Sequence, residues 1–231
     1  MIVYRHDDCL LKDNGLNHPE RKERVNSILD SIKQIKDFKI DFKDAPIADI
    51  EIISLVHPKK HVEKIFSNIP KTGLVGVEKE PYADTMLCPN SKKAILRSCG
   101  AGIAAAEDLM KKNERVFCAI RPPGHHAETT KAMGFCFINN IAVTAKYLQN
   151  KYKVNKIAII DFDVHHGNGT QEIFYNDETV LYASSHEFPL FPGTGSEQET
   201  GVGNIFNAPL KTGIKGKEFL KIFNQKILRP I

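Results

Sequence analysis

The segment from Ile157 to Thr170 constrains the fold of this chain more than any other part of the sequence. An apolar run, Ile157-Ala-Ile-Ile, is followed at once by Asp161-Phe-Asp-Val-His-His-Gly-Asn-Gly-Thr. A short apolar run rich in β-branched residues is typical of a strand that is buried on both faces of a parallel sheet. We therefore predict a buried parallel strand here, with a polar segment at its carboxyl end.

The polar segment after this strand carries side chains that bind metal ions. Side chains alternate along an extended chain, so Asp161, Asp163 and His165 should point to one side. Ligands of open α/β sheets bind at the carboxyl ends of strands. Capping explains a single Asp or His at such a place, but buried carboxylates cost several kcal/mol unless they are paired or bound to metal. The pattern therefore predicts a metal site at this strand end.

A second predicted strand end carries a pair of histidines. The run 116–120 indicates another buried strand, which ends at Pro122-Pro123 because proline cannot donate a hydrogen bond to a neighbouring strand. Gly124 permits a turn that would bring His125 and His126 to the strand's carboxyl end. Adjacent imidazoles suit a site where one takes a proton and the other holds or returns charge. The pair also fits a structural role, but both polar segments follow predicted strands and can meet at one sheet edge.

Four motifs stand in the order in which zinc-dependent histone deacetylases carry them, and the chain resembles that family. They are Arg121-Pro-Pro-Gly-His-His-Ala, Gly134-Phe-Cys-Phe-Ile-Asn-Asn, Asp161-Phe-Asp-Val-His-His-Gly-Asn-Gly-Thr and Phe191-Pro-Gly-Thr-Gly. Asn17-His-Pro-Glu-Arg resembles the family's opening motif. The wider family includes bacterial acetylpolyamine amidohydrolases and acetoin-utilisation proteins, and Asn168 is similar to the class II and bacterial branch.

The resemblance implies catalytic roles for four residues. His125 and His126 resemble the active-site pair, of which one or both manage the proton of a zinc-bound water. Asp161 resembles the carboxylate that orients His125, and Asn168 occupies the corresponding place behind His126. Carboxylate and amide partners of this kind fix the tautomer and the orientation of each ring.

The resemblance also implies two metal sites. Asp163 and His165 resemble two of the zinc ligands, and zinc accepts both carboxylate oxygen and imidazole nitrogen. The family binds a structural potassium ion as well. By position, that ion would use Asp161, the backbone of Asp163 and His165, the Ser184 hydroxyl and the Ser185 backbone.

The implied reaction is hydrolysis of an N-acetyl amide, with acetyl-lysine or a similar acetylated amine or protein as substrate. Phe135 and Phe191 resemble the two walls of a narrow acyl-lysine tunnel, and Gly134 lies beside the first wall. An acetylated polyamine is the nearest rival substrate, because tunnel width and rim charge decide between them. The sequence leaves the substrate and the oligomeric state open.

Two parts of the family's pattern are not found after Thr212: a third zinc ligand, which is an Asp on a later strand, and a Tyr on a Gly-rich loop. The resemblance thus covers roughly the N-terminal two-thirds of the family's domain. We expect a partial deacetylase with little activity and poor solubility when expressed alone. A non-catalytic remnant that binds acyl-lysine is the alternative; an arginase-like binuclear enzyme is disfavoured, because it would need more carboxylates near Asp163.

Strand and helix patterns alternate along the chain, which favours a parallel sheet with helices on both faces. We predict a single domain over residues 1–231 with a three-layer α/β/α fold and a mainly parallel sheet, similar to arginases and deacetylases but lacking the last strands. The predicted strands span residues 2–4, 38–42, 116–120, 157–160 and 179–183, and the predicted helices span 19–35, 91–112, 137–152 and 171–175.

Composition argues against several other classes of function. The net charge of +4 is modest, and the Lys and Arg residues are spread along the chain, which is not typical of nucleic-acid binding. No apolar stretch approaches the roughly 20 residues of a membrane span, and the opening Met1-Ile-Val-Tyr-Arg-His lacks the features of a secretory signal. The five cysteines form no C-x-x-C pair, and their odd number fits reduced thiols in the cytoplasm.

Overall fold

The computed structural model describes residues 1–78 and 84–230, which pack as two compact units, Met1–Tyr152 and Lys153–Ile231. The strands of the first unit are β1 (Ile2–Arg5), β2 (Asp41–Asp44), β3 (Val75–Gly76), β4 (Met86–Leu87) and β5 (Val116–Cys118). Its helices are α1 (Asp7–Leu10), α2 (Lys22–Lys33), α3 (Ile50–Ile53), α4 (Lys59–Ser67), α5 (Ser91–Lys112) and α6 (Asn140–Tyr152).

A parallel sheet with the strand order β2-β1-β5 organises the first unit, and β3 and β4 form a separate antiparallel pair. Val3 of the central strand is aligned with Phe42 on one side and Phe117 on the other. The largest apolar core cluster lies among the helices and includes Ile95 of α5 and Val143 of α6. The core therefore fixes the helices that flank the predicted histidine pair.

The second unit has a parallel sheet with the order β6-β7-β8, made of β6 (Ile157–Asp161), β7 (Val180–Glu187) and β8 (Ile205–Leu210). It also contains α7 (Asn168–Phe174), α8 (Gly216–Phe223) and a π-helical turn over Asn224–Leu228. The central strand β7 is buried along most of its length, as Val180 and Tyr182 illustrate. Ser184 and Ser185 lie in its carboxyl-terminal half.

One prediction about the second unit is wrong. β6 is an edge strand of this sheet, and Ile160 is 39% exposed, so the strand is not buried on both faces. An apolar run does not reveal whether a strand is central or at an edge. β8 was not predicted from the sequence. It contains Pro209, and proline is tolerated there because β8 lies at the other edge of the sheet.

Among the other predicted elements, β2 begins three residues later and α7 three residues earlier than expected. The prediction that β5 is buried is wrong, because Phe117 is 40% exposed. α5 has the predicted bounds, whereas α2 and α6 begin three residues later than expected. α5 ends where Asn113 adopts a left-handed conformation and donates a backbone hydrogen bond to Leu109. Leu109, in this last turn, is 45% exposed. Across residues 1–78 and 84–230, the protein has no helix with the length and hydropathy that a membrane span requires.

Candidate active site

The segment before the histidine pair is anchored by a buried ion pair. Arg121 donates to Glu20 through Nε at 2.6 Å and Nη2 at 2.8 Å, and its Nη1 donates to the carbonyl oxygens of Cys9 and Lys12. Burial raises the pKa of the Glu20 carboxyl, but the Arg121 guanidinium outweighs this effect, so the pKa lies below its usual value. Arg121 thus ties the segment after β5 to the region of residues 9–20.

Gly124 follows this anchor, and space explains why it is glycine. A Cβ at this position would lie 2.4 Å from Oδ1 and 2.8 Å from the backbone nitrogen of Asn140. Its φ is not positive, so the turn does not require glycine's backbone freedom. Gly124 therefore lets the chain pass the start of α6 closely, directly before His125.

His125 and His126 are in contact, with ring centroids 4.0 Å apart and an angle of 43° between the ring planes. His126 is buried and His125 is half-buried. Gly134 lies against His126, because a Cβ there would be 2.3 Å from Cδ2 of that ring. The first unit thus brings together the two predicted proton-transfer residues and one predicted substrate-binding residue.

Phe135 stands in a tight turn next to this pair. Met133 and Cys136 exchange two backbone hydrogen bonds, of 2.9 and 3.1 Å, across the turn. Gly134 and Phe135 both have positive φ, +55° and +68°, and such a conformation is uncommon for a residue with a side chain. Two-residue turns with positive φ at both positions are the tightest hairpin connections. The turn therefore holds the backbone of Phe135 in a defined conformation.

Two further residues hold Phe135. Thr85 accepts a hydrogen bond of 3.1 Å from the Phe135 backbone nitrogen, and the His18 ring meets the Phe135 ring edge-on at 4.5 Å. Thr85 has no local sequence pattern that marks its contact with Phe135, which lies 50 residues further along the chain. His18 belongs to the opening motif Asn17-His-Pro-Glu-Arg, which is a signal that could have identified it.

In the second unit, the predicted metal ligands lie close together at the end of β6. The Asp163 backbone nitrogen donates to Asp161 Oδ1 at 3.1 Å, and the His165 backbone nitrogen donates to Asp163 Oδ1 at 2.8 Å. The same Asp163 oxygen lies 3.2 Å from His165 Nδ1. β6 ends at Asp161, so these local turns bring the side chains together, and the predicted extended alternation is wrong.

Asp161 also joins β6 to β7. Its second oxygen accepts a hydrogen bond of 3.0 Å from the Tyr182 hydroxyl, which in turn accepts one of 3.1 Å from the Gly167 nitrogen. Burial, followed by the charge of Asp161, raises the pKa of Tyr182 well above its usual value. The phenol therefore stays protonated and remains a donor to Asp161.

Asp163 and His165 are ligand types that zinc accepts, but within the residues described they are only two ligands. Asp163 offers a carboxylate oxygen and His165 an imidazole nitrogen, and both side chains are partly exposed. Catalytic zinc sites take three protein ligands. Within residues 1–78 and 84–230, no group of three or more His, Cys, Asp and Glu residues is placed to hold a metal ion. The pair would therefore supply two ligands of a site that needs a third.

The serines predicted to bind potassium lie on β7. The Ser184 hydroxyl is buried and lies 2.9 Å from Nδ1 of His186. The Ser185 hydroxyl is also buried and has no hydrogen-bond partner within the part of the chain that the structure describes. Ser184 is aligned with Asp161 in the parallel pair, so these two predicted ligands are neighbours across the strands.

Phe191 and Asn168 are held by a network that the sequence analysis did not predict. The Phe191 ring lies 6.2 Å from that of His165, and the backbone nitrogen of Asn168 donates to the His166 carbonyl. His166 lies 2.8 Å from Thr194 Oγ1 and 3.0 Å from Gln171 Oε1. The network fixes both the loop after Phe191 and the start of α7.

Glu199 extends this network. It accepts hydrogen bonds from Gln171 Nε2 at 2.5 Å and from the backbone nitrogens of Gly195 and Ser196. Its carboxylate is therefore occupied by donors from the protein itself. Its contact with Gln171 joins residues 28 positions apart, so the local sequence pattern does not indicate it.

Comparison with known proteins places these motifs in a wider context. A profile described as the histone deacetylase domain matches residues 18–231. The chain is 35% identical to a "Probable deacetylase" of Archaeoglobus fulgidus over 100% of its own length and 64% of that protein. It is 36% identical to "Histone deacetylase 10, chloroplastic" of Oryza sativa subsp. japonica over 85% of its own length and 48% of that protein.

A solved structure confirms the predicted fold class. The chain matches the structure described as "Crystal Structure of HDA15 HD domain" with a TM-score of 0.89 and 30% identity. The match covers 100% of this chain and 69% of that chain. The mainly parallel sheets flanked by helices therefore belong to a three-layer α/β/α arrangement of the kind found in that domain.

Proposed function

Because the chain belongs to the histone deacetylase domain family, we propose that it takes part in the zinc-dependent hydrolysis of an N-acetyl amide. The observation that carries this proposal is the pair Asp163 and His165, whose oxygen and nitrogen lie 3.2 Å apart at the end of a parallel strand. Ligands of α/β sheets bind at such strand ends. Asp163 and His165 would hold the metal, which when bound lowers the pKa of its water and polarises an amide carbonyl.

We assign proton transfer to His125 and His126. Neutral imidazole accepts a proton, and imidazolium returns one to a leaving amine. His126 is buried against Gly134, so its ring is held in one orientation, whereas the half-buried His125 is more accessible. In this proposal Asp161 and Asn168 act through the orientation of the two rings.

We assign the substrate passage to Phe135 and Phe191, with Gly134 beside the first wall. An acetyl-lysine side chain is an apolar stem with a small amide at its end, and aromatic surfaces suit such a stem. The substrate class is an acetylated amine or protein. An acetylated polyamine would need the same passage with a different rim, and a cytoplasmic location remains a prediction from the cysteine pattern.

The potassium site is a further part of the proposal. The buried hydroxyl of Ser185, the buried Ser184 and the carboxylate of Asp161 put oxygen atoms at one end of the strand pair β6 and β7. Monovalent cations are bound by oxygen atoms of this kind. Potassium would join the two strand ends and stabilise the segment that carries Asp163.

Release of acetate from an acetyl-lysine peptide tests the proposed activity. Turnover that requires added zinc, is removed by a chelator and is lost in Asp163→Asn and His165→Ala supports it. Glu172 is an exposed residue on α7, and Glu172→Gln is a matched control that should keep the parent activity. Zinc-independent turnover, or turnover that survives both substitutions, would contradict the proposal.

A second candidate function is binding of acyl-lysine without turnover. It is favoured by the finding that no third His, Cys, Asp or Glu joins the Asp163–His165 pair within the described ranges. Binding of an acetyl-lysine peptide without release of acetate at saturating zinc would support this candidate.

A further inference from the structure

Two buried histidines outside the predicted site contact the segment that carries Phe135. His57 lies between α3 and α4 and is fully buried. Its Nε2 accepts a hydrogen bond of 2.9 Å from the Asn139 backbone nitrogen, which leaves Nδ1 to donate to the Thr129 carbonyl at 3.1 Å. The two nitrogens of the neutral His57 ring therefore join Thr129 and Asn139, which are ten residues apart in the chain.

His61 makes a third contact with the same segment. Its Nε2 donates to the Phe137 carbonyl at 3.0 Å, and its ring stacks on that of His57 at 5.1 Å with an interplanar angle of 21°. His61 is also buried. The stacked pair thus directs its hydrogen bonds to the backbone at positions 129, 137 and 139.

Asn139 joins the two ends of the segment 127–139, which contains Phe135. Its Nδ2 donates to the Ala127 carbonyl at 3.2 Å, and its Oδ1 accepts from the Ala142 nitrogen at 3.1 Å. The second bond caps the start of α6. Asn139 is therefore held to Ala127 directly and to Thr129 through His57, and Phe137 is held by His61, which stacks on His57.

The turn at Gly134 and Phe135 lies within this segment, between the two ends that the hydrogen bonds join. A non-glycine residue at a φ of +68° persists only where the surrounding structure holds it in place. The turn has its own pair of backbone bonds between Met133 and Cys136, and Thr85 holds Phe135 from one side. The histidine pair fixes the two chain segments that lead into and out of this turn.

We propose that His57 and His61 are positioning residues that fix Phe135 as one wall of the acyl-lysine passage. This inference rests on the proposed function, because it gives the Phe135 ring a role in substrate binding. A hydrophobic residue would fill the site of His57, but it would leave the Asn139 N–H and the Thr129 carbonyl without these buried partners. The pair therefore supplies hydrogen bonds to the backbone in addition to volume.

A reporter that does not depend on activity tests this proposal. The chain contains no tryptophan, so Phe135→Trp introduces a single fluorophore into the turn. Acrylamide quenching and fluorescence anisotropy then report the exposure and mobility of that side chain. The comparison uses the full chain with the reporter alone and with His57→Phe, His57→Gln, His61→Leu or Val62→Ala added.

His57→Phe should raise the quenching constant of the reporter by about twofold or more and lower its anisotropy, because the base of the segment opens locally. His57→Gln keeps one acceptor and one donor and should restore part of the parent behaviour. Val62→Ala removes buried volume from the same region without removing a hydrogen bond, and should leave the reporter unchanged. If His57→Phe does not fold, His57→Gln and His61→Leu decide the question.

Kinetics provide a second readout without the reporter. His57→Phe should raise KM for an acetyl-lysine peptide by about three- to tenfold with kcat within about twofold of the parent, since a displaced wall weakens binding. A folded His57→Phe protein with parental quenching and parental KM overturns the proposal. Failure of the parent protein to release acetate would contradict the proposed function instead, and the reporter alone would then decide whether the histidines position Phe135.

Discussion

Arg121 and Glu20 form a two-pronged ion pair, with bonds of 2.6 and 2.8 Å, in which neither side chain is more than 3% exposed. Asn14 donates a further hydrogen bond of 2.5 Å to the same carboxylate. The pair joins the amino-terminal motif to the segment that leads into His125. It therefore connects two of the motifs that identify the family. The pairing explains why one motif contains Glu20 and the other contains Arg121.

Removal of one partner of this pair should be costly. Glu20→Gln leaves a buried guanidinium without its counter-charge and should lower the free energy of unfolding by about 3 kcal/mol. Replacement of both residues, Glu20→Leu with Arg121→Met, should cost less than the sum of the two single changes, because neither charge remains buried. Urea unfolding of the parent, Glu20→Leu, Arg121→Met and the double variant measures the coupling, and additive costs would show that the pair does not act as a unit.

Gly134 should be intolerant of a side chain because of its contact with His126. Gly134→Ala places a Cβ 2.3 Å from the His126 ring and should cost about 2 kcal/mol or more in unfolding free energy, with a loss of activity. Gly73→Ala is the matched control, since Gly73 also has a positive φ, +70°, but a Cβ there meets no atom within 4 Å. Thermal melts of both variants separate the steric contact from the backbone strain, and equal losses would refute the steric explanation.

Stability should fall as the pH drops below neutral, in part through His57. Burial, and then the charge of His61, lowers the pKa of His57 to about 4, so the unfolded chain takes up a proton near pH 6.5 that the folded chain accepts only near pH 4. The contribution of neutral His57 is therefore present in full above about pH 6.5 and is lost as the pH falls toward 4.

Between pH 7 and pH 5 this single residue should account for roughly 2 kcal/mol of lost stability. His57→Gln has no titrating group at this position and should show a shallower decline over the same range. Urea unfolding at several pH values measures the two slopes. Parallel slopes for the parent and the variant would show that His57 is not the group responsible.

Tyr182 should support the metal ligands through Asp161. Tyr182→Phe removes the donor to Asp161 Oδ2 and the acceptor for the Gly167 nitrogen, and should cost about 1–3 kcal/mol in stability. Zinc affinity should fall as well, by about tenfold, because Asp161 orients the segment that carries Asp163. Tyr175→Phe on the same unit is the control, and calorimetric titration with zinc compares the two. Unchanged affinity in Tyr182→Phe would remove Asp161 from this supporting role.

The sequence predicted α5 to the residue and the bounds of β1, β5 and β6 to within two residues, because apolar runs and periodicity report local structure. β7 extends four residues beyond its predicted end. The sequence did not predict features that depend on a strand's position in the sheet. The burial of β6 was wrongly predicted and β8 was not predicted, and both strands lie at edges of the sheet. Proline is acceptable at Pro209 because β8 lies at an edge of the sheet.

The candidate site shows the same division. The grouping of Asp161, Asp163 and His165 was predicted, but through an extended alternation, whereas local turns bring them together. Thr85 and His57 were not assigned to any site, because their contacts with the Phe135 segment join residues 50 or more positions apart. Such contacts follow from packing, which a single sequence does not show.

X-ray absorption at the zinc edge, on the protein loaded with one equivalent of zinc, tests the assignment of Asp163 and His165 most directly. We expect a first shell of oxygen and nitrogen at about 2.0–2.1 Å, with multiple scattering from imidazole that weakens in His165→Ala and a shell that changes in Asp163→Ala. A sulfur shell at about 2.3 Å, or spectra that are unchanged in both variants, would show that zinc binds elsewhere and would contradict the proposed site.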